Sequence, residues 1–304
     1  FWTGSDDGLV HYSRDGGETW TDVTPDSLPQ WTMINSIDDH PFEEGGLYVA
    51  ATGYKQDDYR PHLYKTTDWG ATWTRITDGI ADDHFTRVIR ADPDRAGLLY
   101  AGTERGVYAS FDDGDNWQPL QLNLPIVPIT DLAVKNGDLV AATQGRSYWI
   151  LDDLTVLHAM TEEIAASDAH LFTPRPAYRM RGGGGFFGPP PNTGKNPPGG
   201  PVFHYLLGET PDKESEFKLE IMEADGDEIM TYTRKPEDGE GEGGGRGRGP
   251  NTKLLETEPG LNRFVWNMRY KGMERFPGMI LWNDRGAGPT AVPGTYKATL
   301  TVGD

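Results

Sequence analysis

Glu104 stands beside Arg105 in a short polar interval between two apolar runs, and Asp58 and Asp83 occupy comparable intervals earlier in the chain. A glycosidase needs two carboxyl groups roughly 5–10 Å apart across the bond it cleaves. Glu104 with Asp58 or Asp83 is therefore the candidate catalytic pair. The competing reading makes Glu104–Arg105 an ordinary ion pair at the protein surface. Arg60, Arg105 and Arg146 fall in successive units of the chain and could converge on an anionic group of a ligand, because guanidinium groups match carboxylates in shape and charge. Together with Tyr59, His84 and Glu104 they form an aromatic and charged set suited to a polar ligand such as a sugar or an extended peptide.

Other chemistries lack their signatures. The chain has no nucleophile elbow, HExxH, P-loop or Cys/His cluster. His11, His40, His62, His84, His158, His170 and His204 are scattered, and none pairs with another at helical spacing as metal ligands would. Cysteine is absent, which removes disulfides, thiolate metal sites and cysteine nucleophiles. No cofactor and no metal are expected. A formal charge of −19 and a pI near 4.7 argue against nucleic acid or an anionic membrane surface as the main partner. No apolar run reaches the roughly 20 residues of a membrane span.

The elements that must position these residues announce themselves as a repeat. Ser13–Trp20, Thr66–Trp73 and Ser110–Trp117 all fit Ser/Thr-x-Asp-x-Gly-x-Thr/Asn-Trp. Their spacing is that of propeller blades and not of helical repeats. In each, an apolar strand runs in, and Asp15, Asp68 or Asp112 can bond backbone N–H groups of a turn. Gly17, Gly70 or Gly114 can supply positive φ, and Trp20, Trp73 or Trp117 opens the returning strand and covers the hairpin. Calcium loops are the alternative reading of these Asp clusters, but none has EF-hand spacing. A fourth copy, running from Asp138 to Asp153, keeps the strand pair and loses the Gly and Trp. Four strands to a blade give three to four consecutive blades, too few for a ring, so the remaining blades are expected from the same gene product or from another chain.

On these motifs, Gly4 to Leu154 resembles the sortilin-like, BNR/Asp-box proteins of bacteria. Arg95–Val107 and Ala142–Asp153 look like final propeller blades of large exported members. The resemblance implies an extracytoplasmic protein, secreted or periplasmic, with an N-terminal portion beyond this sequence. It leaves activity open, because Asp-box propellers occur in sialidases, in xyloglucan-cleaving hydrolases and in sortilin-type binding receptors. It also implies that the Asp-box turns lie away from the ligand face. Chain geometry agrees: the non-box connections, Ser5 to Gly8, Gly53 to Pro61, Asp78 to Phe85, Thr103 to Arg105 and Gln144 to Arg146, must lie at the opposite end.

The expected organisation is all-β: the C-terminal blades of a propeller over 1–173, a Gly/Pro-rich linker over 174–201, and a β-sandwich of immunoglobulin or fibronectin type over 202–304. Phe186 and Phe187 in the linker are expected to pin it to the propeller. Residues 237–250, half of them Gly, are read as a loop. Trp266 and Tyr296 are expected in the sandwich core. Two functions follow: a binding or scaffold module for protein segments or glycans, and a glycoside hydrolase completed by blades outside this sequence.

Overall fold

Short alternating strands separated by turn residues fold here into hairpins that repeat four times. The computed structural model describes residues 1–179, 197–234, 254–273 and 287–303. Its contacts divide the chain into two compact units, Phe1–Leu154 and Thr155–Asp304.

The first unit is a row of four antiparallel sheets, each an up-and-down meander, and no sheet closes on itself. Sheet one has β1 (Trp2–Gly4), β2 (Val10–Tyr12) and β3 (Thr21–Asp22); sheet two has β4 (Met33–Asp39), β5 (Leu47–Gly53), β6 (Asp58–Thr66) and β7 (Thr74–Arg75). Sheet three has β8 (Thr86–Ala91), β9 (Leu99–Thr103), β10 (Gly106–Ser110) and β11 (Gln118–Pro119); sheet four has β12 (Ile129–Lys135), β13 (Asp138–Thr143) and β14 (Tyr148–Leu151). Every residue of β5, β9 and β10 is buried. That pattern, without alternation, is what a strand shows when sheets pack on both its faces. Tyr48, Leu63, Ile89, Leu99, Tyr108 and Trp117 fill the space between sheets two and three, and Val10, Leu47, Val49 and Tyr64 that between sheets one and two. Sheet three is also tied to sheet two by hydrogen bonds: the Thr52 hydroxyl donates to the Thr86 carbonyl at 2.6 Å, and the Thr86 hydroxyl accepts from the His62 N–H at 3.0 Å.

The three Asp turns form as the motif requires. Asp15 accepts from the Thr19 N–H at 2.9 Å, Asp68 from the Thr72 N–H at 2.9 Å and Asp112 from the Asn116 N–H at 2.8 Å. Each also accepts from the Ser or Thr two residues before it, and Gly17, Gly70 and Gly114 all take positive φ. Trp20 lies over its own turn, its Nε1–H donating to the Gly17 carbonyl at 3.1 Å, but the other two tryptophans differ from expectation. Instead of covering their own hairpins, Trp73 and Trp117 reach back to the preceding sheet, where their Nε1–H groups donate to the carbonyls of Val23 at 2.7 Å and Ile76 at 2.9 Å.

The second unit begins with two short helices, α1 (Thr155–Ala159) and α2 (Glu162–Ala165), and continues as strands β15 (Ala169–Leu171), β16 (Val202–Leu207), β17 (Phe217–Glu223), β18 (Glu228–Thr233), β19 (Gly260–Val265) and β20 (Tyr296–Val302). They form two three-stranded antiparallel sheets, ordered β15-β16-β19 and β18-β17-β20. Both sheets contribute to one apolar cluster around Tyr205, Leu219, Phe264 and Trp266. Trp266 is buried at its centre, whereas Tyr296 sits half-buried at the margin with its ring edge-on to Trp266. The expected hairpin turn at Asp225-Gly226 joins β17 to β18, with Gly226 at φ 106°.

The division of the chain departs from the expected 1–173 and 174–201. Ala169–Leu171 pairs with Tyr205–Leu207, so these residues are an edge strand of the second unit and not the tail of the blades. Phe186, Phe187 and residues 237–250 lie outside the described residues.

Candidate functional site

The antiparallel register of sheets two and three puts the hairpins β5–β6 and β9–β10 at the end opposite Asp68 and Asp112: Gly53 pairs with Asp58 and Leu47 with Thr66 in one, Thr103 with Gly106 and Leu99 with Ser110 in the other. The connection 79–85 between the two sheets returns to that same end, where the Glu104 N–H donates to the Phe85 carbonyl at 3.1 Å. A rim built from three loops results.

Several of the singled-out residues meet there. Arg105 pairs with Asp83 at 3.3 Å, and Asp83 also approaches His84 at 3.8 Å. His84 is fixed by the Tyr108 hydroxyl, 2.7 Å from its Nδ1. Tyr59, half exposed, leans on Phe85, which stacks on Tyr54. Glu104 does not pair with Arg105. It accepts from Arg87, whose Nε and Nη2 lie 2.7 Å and 2.6 Å from Oε2, while the same guanidinium sits over the Phe85 ring. Arg87 leaves β8 on the rim side, and this directs it to Glu104 across the strand pair.

Asp58 and Arg60 form a second group. Arg60 donates to both Asp58 oxygens, at 2.8 Å and 2.9 Å, and His62 Nε2 lies 2.9 Å from Oδ2. Hydrogen bonding from Arg60, followed by that from His62, holds the Asp58 carboxyl far below the usual carboxylate range. Asp82 adds to the negative field around Arg60. Arg146 is exposed in the β13–β14 hairpin at the same end of sheet four; its carbonyl accepts from Trp149 Nε1 at 3.0 Å. Among the described residues no contact joins Arg146 to the other candidates.

The sequence reading passed over Arg87, Tyr54, Phe85 and Trp31. Trp31 precedes β4 at the rim end, held at φ 65° with 64% of its surface exposed. A bulky residue in the left-handed region is uncommon, and the only signal for it in the sequence is an aromatic in a Pro-containing connection. Trp31 borders a hollow of about 650 Å³ together with Asp7, Asp22 and Asp26. In the second unit, a cleft of about 770 Å³ opens between 171–179 and 291–298 over Phe203, Ile221 and Trp266; among the described residues its lining includes Arg175, Arg179 and Lys297 and no carboxylate.

His62 makes the rim sensitive to acid. Its ring is buried, Nδ1 has no partner, and burial lowers its pKa despite Asp58. A folded-state value below the unfolded one of about 6.5 means the unfolded chain takes up this proton first. The stabilisation is therefore complete above about pH 6.5 and lost as pH falls through that region; the depressed Asp58 loses its contribution only below about pH 4. In urea titrations between pH 7 and 5, His62→Gln should remove part of the decline in midpoint seen with the parent chain. An unchanged decline would mean that His62 is not held neutral.

No family model matches the chain, and no curated protein matches it. Among solved structures it is similar to YCF48 bound to D1 peptide, with 24% identity over 50% of this chain and 47% of that one, at a TM-score of 0.39. It is also similar to a GH74 enzyme of Niastella koreensis, with 14% identity, 68% of this chain, 33% of that one and a TM-score of 0.40. An ancestral GH74 enzyme shows 14% identity, 76% and 30% coverage and a TM-score of 0.38. The chain spans less than half the length of each of these structures.

Proposed function

We propose that the first unit is part of a sortilin-like Asp-box propeller that works outside the cytoplasm as a binding module, with its ligand on the rim opposite the Asp turns. The second unit, read as a β-sandwich, is its accessory domain. The ligand is a polar chain, a protein segment or a glycan, gripped by the exposed aromatics Trp31 and Tyr59 and by the cations Arg60, Arg105 and Arg146.

The state of the rim carboxylates carries this reading. A glycosidase needs one carboxyl group kept protonated near neutral pH and a second poised across the bond. Here Arg87 clamps Glu104 through two nitrogens, and Arg60 with His62 clamps Asp58 and pushes its pKa down, the wrong direction for a general acid. Asp83 is engaged by Arg105. These are the ion pairs of a surface prepared to hold a ligand and not of an acid–base pair awaiting one.

The test is release of reducing sugar from a polysaccharide panel by the protein and by its Glu104→Gln and Asp58→Asn variants. No release that depends on either carboxylate is expected. Hydrolysis abolished by Glu104→Gln would replace the binding reading with the glycoside hydrolase one.

A further inference from the structure

The cleft of the second unit carries one sign of charge. In a chain with 47 acidic residues against 28 Lys and Arg, its described lining holds Arg175, Arg179 and Lys297 and no carboxylate. One wall is the extended segment 173–179 that follows β15, and the other is 291–298, which leads into β20. Arg179 ties the two, its Nη1 donating to the Ala291 carbonyl at 3.4 Å, and the Tyr296 hydroxyl pins the second wall by donating to the Val292 carbonyl. Phe203, Ile221 and Trp266, all buried, form an apolar floor.

β20 is the edge strand on this side. Among the described residues it pairs with β17 alone. Phe217, Leu219 and Ile221 on β17 are buried, whereas their direct partners Val302, Leu300 and Ala298 on β20 are only half-buried. An uncovered strand edge presents backbone donors and acceptors that another chain can pair with. The facing wall is poorly made to supply that pairing. Pro174 and Pro176 have no N–H, and two residues apart in extended chain they remove successive donors from the same side. A lone lysine on an edge strand serves to keep stray strands away. Lys297 has company: two arginines of a separate segment share its cleft, and protection of an edge calls for neither.

We propose that this cleft is a binding site for an acidic, extended peptide segment of a partner protein. The segment lies along β20 as an added strand, with its carboxylates held by Lys297, Arg175 and Arg179 and an apolar side chain over Trp266. Main-chain pairing supplies affinity, and the three cations select by charge. The site belongs to the second unit and is independent of the ligand proposed for the rim.

Fluorescence anisotropy of a short fluorescein-labelled peptide of alternating Glu and Val, titrated with the full-length protein, tests it. Saturable binding about tenfold tighter than that of the Gln–Val counterpart is expected, weakened by salt. Lys297→Glu and Arg179→Glu should each weaken it by about tenfold or more, and the milder Lys297→Gln by less, with folding verified for all three. Equal binding of the two peptides, or binding unchanged in both Lys297 variants, would overturn the proposal. Binding lost in Arg105→Glu but kept in Lys297→Glu would overturn it by moving the peptide to the rim. Polygalacturonate bound by the parent and not by Lys297→Glu, with no binding of the peptide, would replace the peptide by an acidic glycan. Self-association in sedimentation velocity that Lys297→Glu abolishes would overturn the assignment to a partner protein, because the occupant would then be a second copy of this chain.

Discussion

Replacing Trp117 by alanine is expected to lower the stability of the first unit by about 3–5 kcal/mol. The ring is 5% exposed and lies in the cluster between sheets two and three, and its Nε1–H satisfies the Ile76 carbonyl at 2.9 Å. Removing it creates a cavity between two sheets and leaves a carbonyl without its donor, and neither neighbour can collapse without breaking its own ladder. Trp31→Ala is the control of equal chemistry. At 64% exposure that ring has little burial to lose, and a change within about 0.5 kcal/mol is expected. Urea denaturation of the two variants checks both values. A similar cost for both would mean that the Asp-turn tryptophan is not an inter-sheet anchor.

Gly79→Ala is expected to be destabilising by about 2–4 kcal/mol, combining the left-handed backbone with overpacking. Gly79 follows sheet two at φ 95°, and a Cβ there would run into the Trp117 carbonyl oxygen, a backbone atom that cannot rotate away. The Trp117 N–H is already bound to the Asp78 carbonyl at 2.8 Å, so the two segments cannot separate without losing that bond. Gly145→Ala isolates the conformational part. Its φ is 85°, but nothing lies within 4 Å of the added carbon, so about 1 kcal/mol is expected. Equal costs at the two positions would show that the contact between sheets two and three is looser than described.

What could be read from the sequence follows the range of the interactions involved. The three Asp turns were legible because every group involved lies within eight residues, and motif and geometry are the same local fact. The rim was legible as a place, since antiparallel meanders force alternate loops to opposite ends. Its pairings were not. Whether Glu104 takes Arg105 beside it or Arg87 across the strand pair depends on how β8 leaves the connection before it, a tertiary matter. Trp73 and Trp117 misled for the same reason: a hairpin read alone has only itself to cover, as Trp20 does, whereas these two reach the previous sheet. The boundary between units moved to Leu154 because Ala169–Leu171 is too short to be recognised as a strand until its partner β16 is known.

Ligand binding at the rim is the central functional claim. The direct measurement is binding of the full-length protein to combined glycan and peptide arrays, compared among the parent, Tyr59→Ala, Arg105→Ala, Arg146→Ala and an Asp68→Asn variant at the other end of the sheets. Losses of about tenfold or more in affinity are expected for Tyr59→Ala and Arg105→Ala, with a smaller loss for Arg146→Ala and none for Asp68→Asn once folding is verified. Binding that survives the rim substitutions and is lost in Asp68→Asn would place the site at the Asp turns and contradict the account.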